Sequence, residues 1–180
     1  MKRIILALLF GIVVVGGAAL WKYGFLSFDT GKNAATSEGY KNISYVIDGQ
    51  TVVLKNGMAE TESATGSASK TTTTYFGNEA KGDLNGDGKE DIAFLLTQSG
   101  GGSGTFFYVV AAFKTDAGYQ GTSALYLGDR IAPQTTEIQG GEVIVNFADR
   151  KETDPMTAAP SVAVSTYAKV SGQELVEVEK

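Results

Sequence analysis

The chain has 180 residues, 43% of them hydrophobic, with 15 basic against 20 acidic side chains for a formal net charge of −5; that is enough for one cored domain and an accessory segment. Cysteine and histidine are both absent, which excludes disulfides, thiol nucleophiles, Ser-His-Asp and Cys-His arrangements and most transition-metal chemistry. The acidic balance argues against nucleic acid as a partner, and 23 glycines with 3 prolines point to strands joined by tight turns.

Lys2 and Arg3 open the chain and an uncharged apolar run follows from Ile4 to Leu20, with Trp21 and Tyr23 at its end. This order predicts a transmembrane anchor helix within residues 1–26, in contact with the membrane through residues 4–23, its aromatics at the interface. A cleaved signal peptide is the alternative. Gly17, Ala18 and Ala19 offer a small-residue processing site, and cleavage would release a secreted protein. The length of the apolar run favours the anchor. In both cases the basic start stays inside and the remainder lies outside the cytoplasm, at the cell surface or in a periplasm. Residues 27–41 are small, polar and without periodicity, and read as a flexible linker.

Residues 42–180 read as an extracytoplasmic β domain. Runs at 43–47 and 51–55 are separated by Asp48-Gly49 and followed by Asn56-Gly57, the strongest short hairpin signals, so the first three strands are expected to form a meander. A Ser/Ala/Gly/Thr stretch at 62–70 reads as a loop, and 71–76 as a Thr-rich strand. Further strands are expected at 92–97, 105–113, 123–127, 131–138, 142–147, 161–170 and 174–178, with a turn at 117–121. The run at 105–113 is the longest apolar one after the N-terminus and is read as a central strand. The fold class is all-β, a single antiparallel sandwich-like or barrel-like domain.

Between the strands at 71–76 and 92–97, residues 82–91 read Gly-Asp-Leu-Asn-Gly-Asp-Gly-Lys-Glu-Asp. Oxygen side chains alternate at Asp83, Asn85 and Asp87, the spacing with which a tight loop wraps ligands around one hard cation. The Lys89 carbonyl takes the seventh position, and Asp91 the ninth, directly or through water. The expected cofactor is one structural Ca²⁺. The alternative is a plain Asn/Asp/Gly turn held by side-chain hydrogen bonds. The loop resembles the calcium loops of EF-hands, dockerins, thrombospondin type 3 repeats and the FG-GAP repeats of integrin α-subunits. It departs from the EF-hand at the twelfth position, where Phe94 stands in place of a bidentate Glu, so the resemblance is to the shorter FG-GAP type, in which the loop leads straight into a strand.

Taken with Gly101-Gly-Ser-Gly-Thr-Phe-Phe-Tyr108, Leu127-Gly-Asp-Arg130 and Gly141-Glu-Val-Ile-Val145, the segment from Gly82 resembles an uncharacterised extracytoplasmic domain of bacterial envelope proteins and lipoproteins. That resemblance spans roughly residues 42–178. It implies location and fold and no substrate.

The glycine-rich segment 100–104 lacks the Gly-Lys-Ser/Thr that completes a phosphate loop and precedes a strand, so a hairpin loop is expected. Asp129-Arg130 is expected as a local ion pair, with capture of an acidic ligand by Arg130 as the alternative. These residues lead to a non-catalytic, membrane-tethered calcium-binding module of the envelope, with an envelope protein or glycan as partner. An envelope enzyme or enzyme inhibitor using a cleft near the Gly-rich loop and Asp129-Arg130 is the other class.

Overall fold

Among the described residues, twelve strands follow one another with a single 3-10 turn before them. The computed structural model describes residues 38–63, 66, 68–155 and 157–180. The anchor expected over residues 4–23 and most of the linker lie outside the described residues. Among the described residues no helix is long and apolar enough to cross a membrane.

The domain starts earlier than residue 42. A 3-10 turn, Gly39–Asn42, buries Tyr40, so the end of the expected linker belongs to the fold. Strands β1 (Ser44–Ile47) and β2 (Gln50–Val53) then form a hairpin. Asp48 and Gly49 take φ of 49° and 77°, the pair of left-handed residues that lets a two-residue turn match the strand twist. Asn56 and Gly57 (φ 52° and 78°) close a second such turn between Lys55 and Met58.

The expected meander does not continue through it. β3 (Met58–Glu62) leaves β2 after the single Lys55–Met58 bridge and pairs with β4 (Lys70–Gly82) instead. Val52 and Leu54 are buried in a layer that packs over the main sheet, so the chain changes layer at this turn.

The main sheet has six strands: β3, β4, β5 (Asp91–Ser99), β6 (Phe106–Thr115), then β7 (Gly118–Gly121), with β8 (Leu125–Asp129) on the same edge of β6 farther along. β7 occupies residues expected as a turn. The turn itself is shorter, because Thr115 already pairs with Gly118. β4 runs six residues beyond its expected end at Phe76, through two register shifts, one between Tyr75 and Gly77 and one between Gly77 and Ala80. The bulged residues Gly77 and Asn78 both have positive φ. A second sheet of four antiparallel strands has the order β12 (Glu174–Glu177), β11 (Val162–Ser171), β10 (Glu142–Asp149), β9 (Ala132–Gln139).

The six-stranded sheet is covered on both faces. Ala93, Leu95, Val109 and Phe113 face Val143 and Phe147 of the four-stranded sheet. The alternate residues Ile92, Phe94, Leu96 and Val110 face Tyr45, Ile47, Val52 and Leu54 of the β1–β2 layer. This explains why β5 and β6 are unbroken apolar runs, for a strand with both faces buried has no polar side. The layered antiparallel arrangement is sandwich-like.

Candidate metal centre

The loop of residues 83–90 joins β4 to β5. Its start is pressed against the four-stranded sheet. A Cβ on Gly82 would sit 2.7 Å from Ile138 Cγ2, so only glycine admits that approach. Leu84 turns inward and is buried in the core between the sheets. The flanking residues then face solvent, which puts Asp83, Asn85 and Asp87 on the open side of the loop.

Backbone N–H groups of the loop orient all three side chains. Gly86 N donates to Asp83 Oδ1 at 2.7 Å and Gly88 N to Asp83 Oδ2 at 2.9 Å. Asp87 N donates to Asn85 Oδ1 at 2.9 Å, and Lys89 N to Asp87 Oδ1 at 2.8 Å. Gly86 and Gly88, at φ of 79° and 78°, take the left-handed backbone the sharp turn requires. The Gly88 N–H, helped by that of Gly86 and against a smaller effect of desolvation, holds the Asp83 carboxyl below its ordinary range.

Asp91 sits differently. It is 0% exposed. Its Oδ2 accepts from Leu84 N at 3.0 Å and its Oδ1 from Lys114 N at 2.8 Å. Desolvation pushes this carboxyl above its ordinary value, against those two hydrogen bonds, and the charges of Asp87 and Asp83 push the same way. The ninth residue is therefore a strut that ties the loop to β6. Each of its oxygens keeps a further lone pair.

Lys89 makes a second tie to that hairpin, its Nζ 2.7 Å from Asp116 Oδ1. Asp116 raises the Lys89 pKa, first through this hydrogen bond. Among the described residues, no three or more carboxylate, histidine or cysteine side chains stand together as a ready metal cage. The donor chemistry nevertheless suits a hard cation, with carboxylate and amide oxygens at the first, third and fifth positions, each held by a backbone donor, while the Lys89 ammonium, bonded to Asp116, acts on Asp87 by charge alone.

The other expected site is spent internally. Arg130 Nε and Nη2 lie 3.0 and 2.7 Å from Asp129 Oδ2, and Arg150 donates to the carbonyls of Asp129 and Arg130 at 2.8 and 3.2 Å. The Arg130 hydrogen bond is the main reason the Asp129 carboxyl is held below its usual range. The Gly-rich loop does come close, through Thr105 N to Asp129 Oδ1 at 2.9 Å. Two shallow surface depressions, one beside β3 and one around Tyr119, do not include Asp129, Arg130 or residues 100–104.

A cluster that the sequence reading did not anticipate lies on the other face. Tyr40 and Tyr75 both donate their hydroxyls to Glu79 Oε1. The bulge at Gly77 and Asn78 turns Glu79 toward Tyr75, and Phe94 packs beneath both rings at 5.4 Å. Lys41 Nζ lies 4.2 Å above the Tyr75 ring. Desolvation pushes the Glu79 carboxyl up, but the two hydroxyls, then Lys41 and Lys81, outweigh it and hold the group below its ordinary value. No local motif announces this cluster, since residue 40 and residue 79 meet only through the fold. No protein-family model, curated protein or solved structure matches the chain.

Proposed function

We propose that residues 83–91 bind one Ca²⁺ and that the domain is a calcium-stabilised, non-catalytic module of the cell envelope. Asp83, Asn85, Asp87 and the Lys89 carbonyl are the ligands, with Asp91 supporting the loop from beneath and adding its charge. The observation that carries this reading is the set of backbone N–H groups that hold three oxygen side chains in one solvent-facing loop, with no ion pair to Asp83 or Asp87 among the described residues. The ion would relieve repulsion among Asp83, Asp87 and Asp91 and hold Leu84 in the core between the sheets. Its role is to stabilise, and no reaction step is assigned to it. The apolar N-terminal run and the basic residues before it favour a tethered domain outside the cytoplasm, where millimolar Ca²⁺ fills even weak sites. A protein or glycan of the envelope is the partner class.

Calorimetric Ca²⁺ titration tests the loop, with melting followed with and without chelator. Saturable one-to-one binding with a higher melting temperature supports it. No heat and no shift at millimolar Ca²⁺ would leave residues 83–91 as a turn.

A further inference from the structure

Among the described residues, β3 is the outermost strand of the six-stranded sheet, and the only strand that pairs with it is β4. Met58 exchanges both backbone hydrogen bonds with Lys55, at 2.8 and 3.2 Å, while Gly57 O accepts from Tyr75 of β4. The residues of β3 therefore alternate: Ala59 and Thr61 turn their N–H and C=O toward β4, and Glu60 and Glu62 turn theirs outward. Among the described residues, neither Glu60 nor Glu62 has a backbone partner. Beside this edge runs a groove lined by Val53, Lys55, Met58, Ala59, Glu60 and Thr61. Val53 and Met58, at 51% and 53%, are the most exposed large apolar side chains described. An open edge beside an apolar groove is the arrangement that strand addition uses, with backbone bonds giving affinity and alternate side chains giving choice.

Charge decides which strand fits. Lys55 already stands opposite Met58, so a second copy could pair only through Glu60 and Glu62, setting each Glu60 against the Glu62 of the other copy, and like charges directly opposite destabilise a strand pair. Lys70 binds Glu60 across β4 at 3.0 Å, but both side chains are more than half exposed, so that pair is readily exchanged. We propose that the β3 edge docks an extended segment of a partner protein carrying Lys or Arg opposite Glu60 and Glu62, and that these two carboxylates keep the chain from pairing with itself. This site does not depend on the calcium loop.

A copy with both charges reversed, Glu60→Lys with Glu62→Lys, supplies a strand of the required kind. Full chains of the wild type and of this double variant, held in a non-denaturing detergent, are examined alone and mixed by native mass spectrometry. The expected result is two monomers and, in the mixture, a heterodimer in about tenfold excess over either homodimer. Glu62→Pro in the wild-type partner removes an outward N–H without touching the bonds to β4, and abolishes the heterodimer. A mixture that stays monomeric while circular dichroism shows both chains folded overturns the proposal. So does a wild-type homodimer lost in Glu62→Pro, which would make a second copy the occupant.

Discussion

Leu84 and Asp91 close the loop of residues 83–91 upon itself, the Leu84 N–H donating to Asp91 Oδ2 at 3.0 Å while the Leu84 side chain enters the core between the sheets. One buried carboxylate thus holds the first turn of the loop, and through Lys114 it also holds β6. Removing it leaves two N–H groups without acceptors in a site closed to water. Asp91→Ala should destabilise the domain by about 2–4 kcal/mol, measured by urea unfolding with chelator present. A loss below about 0.5 kcal/mol would show the strut to be unimportant.

The proposed ligand residues are expected to behave differently, because their side chains face solvent. Asp87→Ala should change chelated stability little and abolish the calcium response. At free Ca²⁺ near a hundred times Kd the wild type gains about 2.7 kcal/mol by linkage, and the variant gains nearly none. Equal melting shifts for the two proteins in saturating Ca²⁺ would remove Asp87 from the ligand set.

Leu84 anchors the proposed ion-binding loop in the core between the sheets. Leu84→Ala should cost about 2–4 kcal/mol from lost burial and the cavity left behind. It should also weaken Ca²⁺ binding, since the loop loses the anchor that sets its start. Calorimetry on the variant checks this, and unchanged affinity would mean that the loop holds its shape without the core.

The Glu79 carboxyl, held below its ordinary value, binds fewer protons in the folded chain than in the unfolded one. Its contribution is therefore present above the ordinary carboxylate value of about 4.3 and is lost as pH falls through the lower folded value. Tyr40→Phe removes one of the two hydroxyls. It should cost about 1 kcal/mol at neutral pH and leave a shallower loss of stability below about pH 4. Parallel pH-stability curves for the two proteins would contradict the Tyr40 assignment.

Gly121 lies where the main sheet meets β1. A Cβ there would stand 2.2 Å from the Ser44 carbonyl oxygen and 2.8 Å from the Tyr45 ring. The obstacle is backbone, which cannot swing aside, so Gly121→Ala should cost about 1–3 kcal/mol or more. Thermal melting reads the effect, whereas Gly102→Ala, with open space around its Cβ, serves as the neutral comparison.

Much of the strand pattern is legible in short stretches. Asp48-Gly49 and Asn56-Gly57 announce their turns because few residues tolerate two successive positive φ values. The 105–113 run announces a central strand because apolar side chains occupy both faces. The expected turn at 117–121 fails for a comparable reason. Gly118-Tyr-Gln-Gly121 has little strand propensity of its own, and it becomes β7 because β6 offers an edge and Tyr119 packs against Tyr40 at 5.6 Å.

By itself the sequence determined the all-β class, the hairpin positions and the oxygen-rich loop at Asp83, Asn85 and Asp87, because turn chemistry and side-chain alternation act over a few residues. Tertiary structure decided the rest. It moved β3 out of the expected meander to the edge of the six-stranded sheet, buried Asp91 as a strut to Leu84 and Lys114, and joined Tyr40 to Glu79. Each of these depends on which layers pack together, and that is settled by burial summed over the whole chain and not by any local pattern.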